Sequence, residues 1–213
     1  MNGFTVIALV GISGSGKSSV SSLLIKHGFA VIDCDRVVRE LQQPGEICYT
    51  QLEKIFPEAF TGGFMDRRKL ADICFADPSK KQLLNSTVHP LVRAELLRRF
   101  EDLSELGERC CFIEAPTLFE SGIDDICDLI IMVRVDEDIA LSRITARDGI
   151  TEEQGRARLA AQISQTELEG KVDIIIDNNG DISDLEPQII RLIDYLNAWI
   201  GHRSEKEHSI NGK

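Results

Sequence analysis

The sequence has no long apolar run, no excess of basic charge, and no repeated or low-complexity segment. Its 213 residues include 24 Lys and Arg against 35 Asp and Glu, a net charge of −11. A surface this acidic argues against a dedicated nucleic-acid-binding protein and against binding to anionic membranes, although it leaves room for a local basic pocket. Because no apolar run reaches the roughly 18 residues that a membrane-spanning helix needs, no membrane partner is predicted.

The cysteines form no pattern typical of a metal site or a redox motif. The six cysteines include no C-x-x-C pair, and their spacings match no zinc ribbon. A chain of this length can bury a sufficient core without disulfides, so we expect reduced, mostly buried thiols and a cytoplasmic location. The first ten residues lack the basic start of a signal peptide, which agrees with that location. Cys110 and Cys111 are adjacent in an apolar run and are predicted to face opposite sides of a strand.

Short apolar runs alternate with longer helical patterns along the chain. With 43% hydrophobic and 28% charged residues, the composition is that of a globular protein, and residues 1–200 are predicted to form a single domain. Several runs are apolar throughout, as in strands buried on both faces of a parallel sheet, so the predicted fold class is α/β with three layers. The strands are predicted at Phe4–Val10, Phe29–Ile32, Cys110–Ile113, Leu129–Val135 and Val172–Ile176.

A stretch of nearly eighty residues between the second and third strands contains no clear strand pattern. Asp66 and Asp77 are plausible N-caps there, and Pro78 follows the second of them at the first helical position. We therefore predict several helices that form a lobe beside the sheet, over about residues 42–92, which we call the helical lobe.

A second stretch, residues 141–169, is rich in arginine and polar residues. Thr151–Gln154 has the pattern of a capping box, and the helix that it begins has no strong apolar stripe. This stretch is predicted to sit off the core as a mobile flap, which we call the lid. A last amphipathic helix is predicted at Glu186–Ile200, and the polar residues 203–213 are predicted to form a disordered tail.

One motif carries a specific chemistry. Residues Gly11–Ser18 satisfy G-x-x-x-x-G-K-[ST], follow an apolar strand and open a helix, which is the context of a phosphate-binding loop, or P-loop. Such a loop cradles phosphate oxygens with its backbone N–H groups, while Lys17 reaches the outer phosphates and the Ser18 hydroxyl binds Mg²⁺. A glycine-rich turn that binds nothing is the alternative, and this context disfavours it. The residues predicted to bind ATP here are Gly11, Ser13, Gly14, Ser15, Gly16, Lys17, Ser18 and Ser19.

Three carboxylates follow predicted strands. Asp33 and Asp35 lie just past the second strand and Glu114 ends the third, so all three are expected at the sheet edge that also carries the P-loop. A kinase that phosphorylates an alcohol needs a carboxylate to accept the hydroxyl proton, and Mg²⁺ prefers oxygen ligands, predicted here as Ser18, Asp33 and Glu114. The alternatives are an Asx-rich turn that caps the next helix and an acid exposed to water at a strand end.

Arginines in the lid are candidates for phosphate contacts. Arg143 and Arg147 are four residues apart and share a face if the segment is helical. Arginine supplies fixed bidentate donors where negative charge builds on a transferred phosphoryl group. Ion pairs with Asp148 and Glu152 on a solvated helix are the alternative, and the sequence alone does not decide between them. Arg158 lies beyond the next turn.

An ordered series of motifs from about residue 6 to residue 196 resembles the dephospho-coenzyme A kinases. Besides the P-loop, the motifs are Ile32–Asp35, Gln43–Gly45, Arg67–Leu70, Phe75–Pro78, Leu84–Asn85 through His89–Leu91, Ala115–Pro116 with Leu118–Glu120, Arg143–Asp148, Ala160–Gln162 and Ile176–Gly180. The resemblance implies ATP- and Mg²⁺-dependent phosphorylation of the ribose 3′-hydroxyl of dephospho-CoA, which gives CoA and ADP.

The same resemblance implies a fold similar to that of nucleoside monophosphate kinases, with a five-stranded parallel core, a helical lobe that receives the CoA moiety, and a lid that carries arginines. It also implies residue roles. Asp35 is the general base, Asp33 lies near magnesium, Arg143 and Arg147 contact phosphate, and further groups contact the substrate or lie near adenine. The predicted substrate contacts are Asp33, Asp35, His89 and Arg93, and the residues implied near adenine are Asn178, Asn179 and Gly180.

The chain departs from the family pattern at a few positions. Ser13 stands where glycine is common, Ser19 where threonine is common, and Thr117 where leucine is usual. Ser13 would be strained if its φ were positive. None of these departures removes a reacting group, so they bear on affinity more than on activity.

Two other functions are open at this stage. One is a P-loop kinase for another small molecule, such as a nucleoside or a shikimate-like alcohol, for which the helical lobe is larger than needed. The other is a nucleotide-dependent binding module without transfer activity, which the aspartate pair and the lid arginines disfavour. A monomer or a weak homo-oligomer is expected.

Overall fold

A parallel sheet and the helices on its two faces make up most of the chain. The computed structural model describes the backbone of residues 3–211 and the side chains of residues 3–202. Within this range the strands are β1 (Thr5–Val10), β2 (Ala30–Asp33), β3 (Phe60–Thr61), β4 (Phe64–Met65), β5 (Cys110–Glu114), β6 (Leu129–Arg134) and β7 (Ile174–Asp177). The helices are α1 (Lys17–Lys26), α2 (Cys34–Leu41), α3 (Ile47–Ile55), α4 (Arg67–Ala76), α5 (Pro78–Glu105), α6 (Leu118–Ser121), α7 (Glu137–Asp148), α8 (Glu152–Ala160), α9 (Gln165–Glu169) and α10 (Ile182–Asn211).

The main sheet has the strand order β2-β5-β1-β6-β7, and each neighbouring pair is parallel. This confirms the predicted five-stranded parallel sheet. From the central strand β1 the chain first crosses to the β2 side of the sheet and later adds β6 and β7 on the other side. Ligands of such sheets bind beyond the carboxyl ends of the strands, where the strand order reverses, and the P-loop leaves β1 at that point.

The two faces of the sheet are buried by different layers of helices. Ile7 and Cys110 belong to a core closed by α1 and α10, whereas Ala8 and Cys111 belong to a core closed by the helices of the helical lobe. The three-layer architecture is thus confirmed, as is the prediction that Cys110 and Cys111 face opposite sides of one strand. Apolar residues run through whole strands because both faces of each strand are covered.

The helical lobe contains α3, α4 and the first half of α5, and it also contains a hairpin that the sequence analysis missed. Asp66 and Asp77 cap α4 and α5 through hydrogen bonds to Lys69 N and Ser79 N, as predicted. The expectation of no strand in this stretch was wrong, because β3 and β4 pair as an antiparallel hairpin. Gly62 and Gly63 make the turn, with φ of 59° and 79°, a conformation that suits a two-residue hairpin loop.

The lid region is anchored at its start. α7 begins four residues before the predicted boundary at 141, and Leu141 is buried on its inner face. The predicted capping box at Thr151 is present at the start of α8. A Cβ on Gly155 would come within 2.5 Å of the Leu141 side chain, so α8 lies directly against α7. This close contact and the packing of Leu159 against Ile12, Val135 and Ala140 hold α8 in place.

The C-terminal helix is longer than predicted. α10 begins at Ile182 and extends to Asn211, beyond the predicted Glu186–Ile200. The expected disordered tail was therefore wrong for residues 203–211, which are helical, and residues 212 and 213 lie outside the described residues. Glutamate, lysine and arginine have high helix propensity, so the polar composition of this segment does not prevent a helix.

The six cysteines are free thiols, and five of them are buried. Of the helices described here, none combines the length and the apolar character needed to cross a membrane.

Candidate active site

The P-loop is in close contact with α7 and with the loop after β7. A Cβ at Gly14 would lie 2.5 Å from the Ala140 carbonyl oxygen of α7, and a Cβ at Gly16 would lie 2.1 Å from Asn178 Nδ2. Both glycines also have positive φ, 78° and 91°. Ser13 does not have a positive φ, so it occupies its position without the strain that a serine there could have caused. Only glycine allows the neighbouring elements to approach the loop this closely.

Lys17 and Ser18 begin α1, where the positive end of the helix meets the loop. The Lys17 ammonium donates hydrogen bonds to the carbonyl oxygens of Gly11 at 2.8 Å and Ile12 at 3.2 Å. Burial lowers the pKa of Lys17, while the negative charges of Glu114 and Asp35 act in the opposite direction. The cation therefore lies at the mouth of the loop, where the phosphates of a nucleotide would bind.

Ser15 shapes the loop from beneath instead of facing the cavity. It is fully buried, its N–H donates to the Ile12 carbonyl at 3.2 Å, and its carbonyl accepts from Asn178 Nδ2 at 2.7 Å. The Ser15 hydroxyl has no hydrogen-bond partner among the described residues. Of the residues predicted to bind ATP, those that line the cavity at the loop are Gly11, Ser13, Gly14, Gly16, Lys17, Ser18 and Ser19.

The three predicted carboxylates meet at one edge of the sheet. Asp33 at the end of β2 is in register with Glu114 at the end of β5. Glu114 accepts hydrogen bonds from the hydroxyls of Ser18 at 3.3 Å and Ser21 at 2.9 Å, which fixes its carboxylate beside the P-loop. The strand β5 lies between β1 and β2, so Glu114 stands between the P-loop and the aspartate pair.

The two aspartates have different surroundings. Asp33 caps α2, since its Oδ1 accepts from Arg36 N at 3.1 Å, and its Oδ2 lies 3.4 Å from the Arg39 guanidinium. Asp35 lies in the first turn of α2 and is accessible from the cavity. Desolvation by the surrounding protein raises the pKa of Asp35, the charge of Asp33 raises it further, and Arg39 and Lys17 oppose the shift. The capping role predicted as an alternative therefore applies to Asp33 and not to Asp35.

The lid arginines line the same cavity but have different partners. Arg143 donates to the carbonyl oxygens of Asn178 at 2.9 Å and Gly180 at 3.1 Å, so it ties α7 to the loop after β7. Arg147 instead makes a two-point ion pair with Asp148, at 2.7 and 2.9 Å. Arg147 therefore lines the cavity and also forms the ion pair with Asp148 that the sequence analysis gave as the alternative.

Two polar residues of the cavity wall, Arg158 and Gln162, were not among the predicted site residues. Arg158 donates to Asp148 at 2.6 Å, so one carboxylate holds Arg147 and Arg158 together. Gln162 accepts a hydrogen bond from Ser13 N at 2.9 Å and donates one to Ser13 Oγ at 3.1 Å. The motif at residues 160–162 marked the position of Gln162, and the arginine content of the lid was the only signal for Arg158.

Two cavities meet at Asp35. The polar one has a volume of about 500 Å³ and is walled by the P-loop, the carboxylates and the lid arginines. The second has a volume of about 200 Å³ and is walled by α2, the helical lobe and the segment after β5, with the apolar side chains of Cys34, Val38 and Val88 beside the imidazole of His89. Asp35 lines both, so its carboxylate stands between a basic compartment and an apolar one.

The remaining predicted site residues have separate positions. His89 lines the apolar cavity, and burial lowers its pKa, while the charge of Glu120 opposes this. Arg93 is not among the residues that line the two cavities, because its side chain binds Asp125 and the Gly122 carbonyl. The prediction that Arg93 contacts the substrate finds no support in this placement.

The loop after β7 is held beside the P-loop by two asparagines. Asn178 is buried between Ser15 and Arg143, while Asn179 is tied to Asp136 by hydrogen bonds at 2.7 and 3.1 Å. These contacts place the loop beside the N-terminus of α1, within reach of the base of a nucleotide bound at the P-loop. A role near adenine remains a prediction.

A model of the dephospho-CoA kinase family matches residues 5–184. The dephospho-CoA kinase of Geobacillus kaustophilus is 37% identical over 194 residues, which cover 90% of this chain and 96% of that protein. The chain belongs to the dephospho-CoA kinase family. This confirms the resemblance found in the motifs.

Solved structures agree with membership in the dephospho-CoA kinase family. The crystal structure of TT1252 from Thermus thermophilus has a TM-score of 0.80 and 33% identity, and the match covers 91% of this chain and 98% of that one. Dephospho-CoA kinase from Campylobacter jejuni has a TM-score of 0.68 and 26% identity, with 90% and 96% covered. The match therefore extends over nearly the full length of these relatives.

Proposed function

We propose that this protein transfers the γ-phosphoryl group of ATP to the ribose 3′-hydroxyl of dephospho-CoA, which gives CoA and ADP. The observation that carries the proposal is the position of Asp35 between the basic P-loop cavity and the apolar cavity. A kinase needs its general base where the donor and the acceptor meet, and Asp35 has that position. Membership in the dephospho-CoA kinase family supports dephospho-CoA as the acceptor.

The transfer step uses residues that line the cavities. The acceptor oxygen forms a bond to the γ-phosphorus, the bond from that phosphorus to the β–γ bridging oxygen breaks, and ADP leaves. The hydroxyl proton goes to the Asp35 carboxylate. Lys17 and Arg147 lie on the side of the cavity that receives the phosphates, where fixed positive charge stabilises the transferring group.

Mg²⁺ fits the oxygen ligands at this edge of the sheet. Ser18 and Glu114 are already joined by a hydrogen bond, and Asp33 is in register with Glu114. Among the described residues, no three acidic, histidine or cysteine side chains lie close enough together to hold a metal ion by themselves. This agrees with Mg²⁺, which in kinases keeps several waters and binds phosphate oxygens, so one or two protein ligands suffice. When bound, the ion would neutralise charge on the phosphates.

The acceptor site is assigned to the helical lobe. The apolar cavity beyond Asp35 is walled by α5 residues of the lobe, among them Val88, His89 and Val92. We assign the adenosine of dephospho-CoA to this cavity, because its ribose then lies at Asp35. The lowered pKa of His89 keeps the imidazole neutral at neutral pH, which suits a hydrogen bond to a neutral adenosine group.

A coupled assay of ADP release tests this function. The wild-type protein is mixed with ATP, Mg²⁺ and, in separate reactions, dephospho-CoA, shikimate, a nucleoside or no acceptor. We expect ADP only with dephospho-CoA, and none with dephospho-CoA that carries a 3′-deoxyribose. ADP formed with another acceptor would indicate a different small-molecule kinase, and ADP formed at the same rate without an acceptor would indicate a nucleotide-hydrolysing module.

The protein is expected to act as a monomer or a weak homo-oligomer in the cytoplasm. Free thiols suit the reducing conditions of that compartment, and a charge of −11 disfavours nucleic-acid partners. Light scattering after size-exclusion chromatography measures the mass in solution and tests the expected assembly.

A further inference from the structure

A single side chain joins the lid to the P-loop. Gln162 follows the last turn of α8, and its amide meets Ser13 at two points: Oε1 accepts from Ser13 N at 2.9 Å, and Nε2 donates to Ser13 Oγ at 3.1 Å. The same Nε2 donates to the Arg158 carbonyl at 2.8 Å. Both hydrogens of the amide are therefore used, and its plane is fixed relative to the loop.

The contact extends to the arginines of the cavity. Arg158 lies one helical turn before Gln162, and its guanidinium binds Asp148, which also binds Arg147 at two points. The chain of contacts thus runs from Ser13 through Gln162 and Arg158 to Asp148 and Arg147. The two arginines, Gln162 and Ser13 all line the cavity that contains Lys17.

We propose that Gln162 is a positioning residue that anchors the end of α8 to the P-loop and so holds the Arg158 guanidinium over the phosphate-binding cavity, where it contacts the transferring phosphoryl group. The proposal rests on the kinase function proposed above. Serine at position 13 provides the second point of attachment, because a glycine there would offer only its N–H. The apolar anchoring of α8 is limited to the buried Gly155 and to Leu159, which packs against the small core of Ile12, Val135 and Ala140.

A purely structural role for Gln162 is the competing explanation. The hydrogen bond to the Arg158 carbonyl also caps the end of α8, so the loss of Gln162 could weaken the helix without any effect on the phosphates. The chain offers a matched control at the opposite end of the same helix. Gln154 completes the capping box with Thr151 and is exposed, so Gln154→Ala weakens α8 without touching the P-loop.

The first measurement is hydrogen exchange of the P-loop. Because Ser13 N donates to Gln162 Oε1, the near-isosteric variant Gln162→Met should speed exchange at residues 11–16, whereas Gln154→Ala should leave the exchange of these residues as in the wild type. Equal exchange in Gln162→Met and the wild type would show that the contact does not form in solution and would overturn the proposal.

The second measurement is a double-mutant cycle in the ADP-release assay. We expect Gln162→Met to lower kcat by about 10- to 100-fold, the cost of misplacing a catalytic group by about 1 Å, with KM for dephospho-CoA changed less than about threefold. Arg158→Met should cost about 10²- to 10³-fold, as for loss of one transition-state donor. Gln162→Met added to Arg158→Met should have almost no further effect, because Gln162 acts through Arg158.

Several outcomes would overturn the proposal. Equal effects of Gln162→Met with and without Arg158, a Gln162→Met rate like that of the wild type, or an equal loss in Gln154→Ala would each show that Gln162 does not position Arg158. A wild-type protein that forms no ADP with dephospho-CoA would overturn the proposed function, and the positioning role with it. An active wild type with any of the first three results overturns the positioning role alone.

Discussion

Replacement of Asp35 is expected to have a large and specific effect on kcat. Asp35→Asn keeps size and hydrogen bonding and removes the proton acceptor, so kcat should fall by about 10²- to 10⁴-fold. That range corresponds to about 2.7 to 5.4 kcal/mol of activation free energy, at 1.36 kcal/mol for each tenfold. Asp33 cannot substitute for it, because its oxygens are engaged by Arg36 N at 3.1 Å and Arg39 at 3.4 Å. We therefore expect a loss near the upper end of the range.

The same substitution should not weaken the fold. Desolvation and the charge of Asp33 raise the folded-state pKa of Asp35. Between the unfolded and the folded pKa values, the folded protein holds more protons, so its stability falls as the pH rises through that window. The ionised carboxylate at neutral pH is thus a cost to the fold, and asparagine removes it. Thermal unfolding should show a Tm for Asp35→Asn equal to or above that of the wild type.

Asp33→Asn is the matched control. Asparagine is also a good N-cap, so α2 should stay intact. Removal of the negative charge lowers the pKa of Asp35, and because the reaction needs ionised Asp35, the acid limb of the kcat/KM profile should move to lower pH. The proposed magnesium contact of Asp33 adds a second expectation, a higher Mg²⁺ requirement with partial rescue at high Mg²⁺.

The ADP-release assay at several pH and Mg²⁺ values measures all of these quantities. A near-wild-type rate for Asp35→Asn would refute its role as the base. If Asp33→Asn were in addition inactive and not rescued by metal, the roles of the two aspartates would have to be exchanged.

Three further predictions test other parts of the structure. Lys17→Met should lower kcat by about 10²- to 10³-fold with unchanged circular dichroism, because one phosphate contact is lost; turnover within a few-fold of the wild type would contradict the P-loop assignment. Arg147→Met should lower kcat more than it raises KM, whereas Arg143→Met should also lower Tm, since Arg143 binds the loop after β7; identical Tm values for the two variants would contradict this difference. Phe100→Ala should destabilise the fold by about 3–5 kcal/mol, because Phe100 is fully buried against Phe4; a chemical-denaturation midpoint like that of the wild type would contradict the assignment of this core.

The parts of the site that local sequence determines were predicted well. The P-loop depends on glycines at fixed spacing, because its backbone adopts positive φ angles that glycine permits without strain. Asp33 and Asp35 were assigned to the sheet edge because carboxyl ends of parallel strands meet there. The buried strands were recognised because continuous apolar runs suit a sheet covered on both faces.

Contacts between distant segments were harder to predict. Gln162 and Ser13 are 149 residues apart, so the motif at residues 160–162 marks the glutamine but does not show that it binds the P-loop. Arg143 was expected to contact phosphate, but the carbonyl groups that it binds come from a loop that only the tertiary fold places nearby. The placement of Glu114 beside Asp33 depends on β5 lying between β1 and β2, an order that no single segment encodes.

The hairpin of β3 and β4 shows a different reason for error. Its strands have two residues each, which is too short for a periodic pattern. The Gly62-Gly63 pair indicates a turn, but no strand pattern beside it shows that the turn belongs to a hairpin. The helical tail shows the opposite case, in which a polar composition typical of disorder is equally compatible with a helix.

The basic cavity lies in a protein of net charge −11, and this contrast affects the kinetics of binding. An anionic nucleotide is repelled by the whole molecule at long range and attracted by Lys17 and the arginines only after it enters. Salt screens the exposed charges over roughly 8–10 Å near physiological ionic strength. Added salt should therefore speed association, since it weakens the repulsion, and should also speed dissociation, since it weakens the cavity contacts. Affinity can then change little with ionic strength while both rate constants rise.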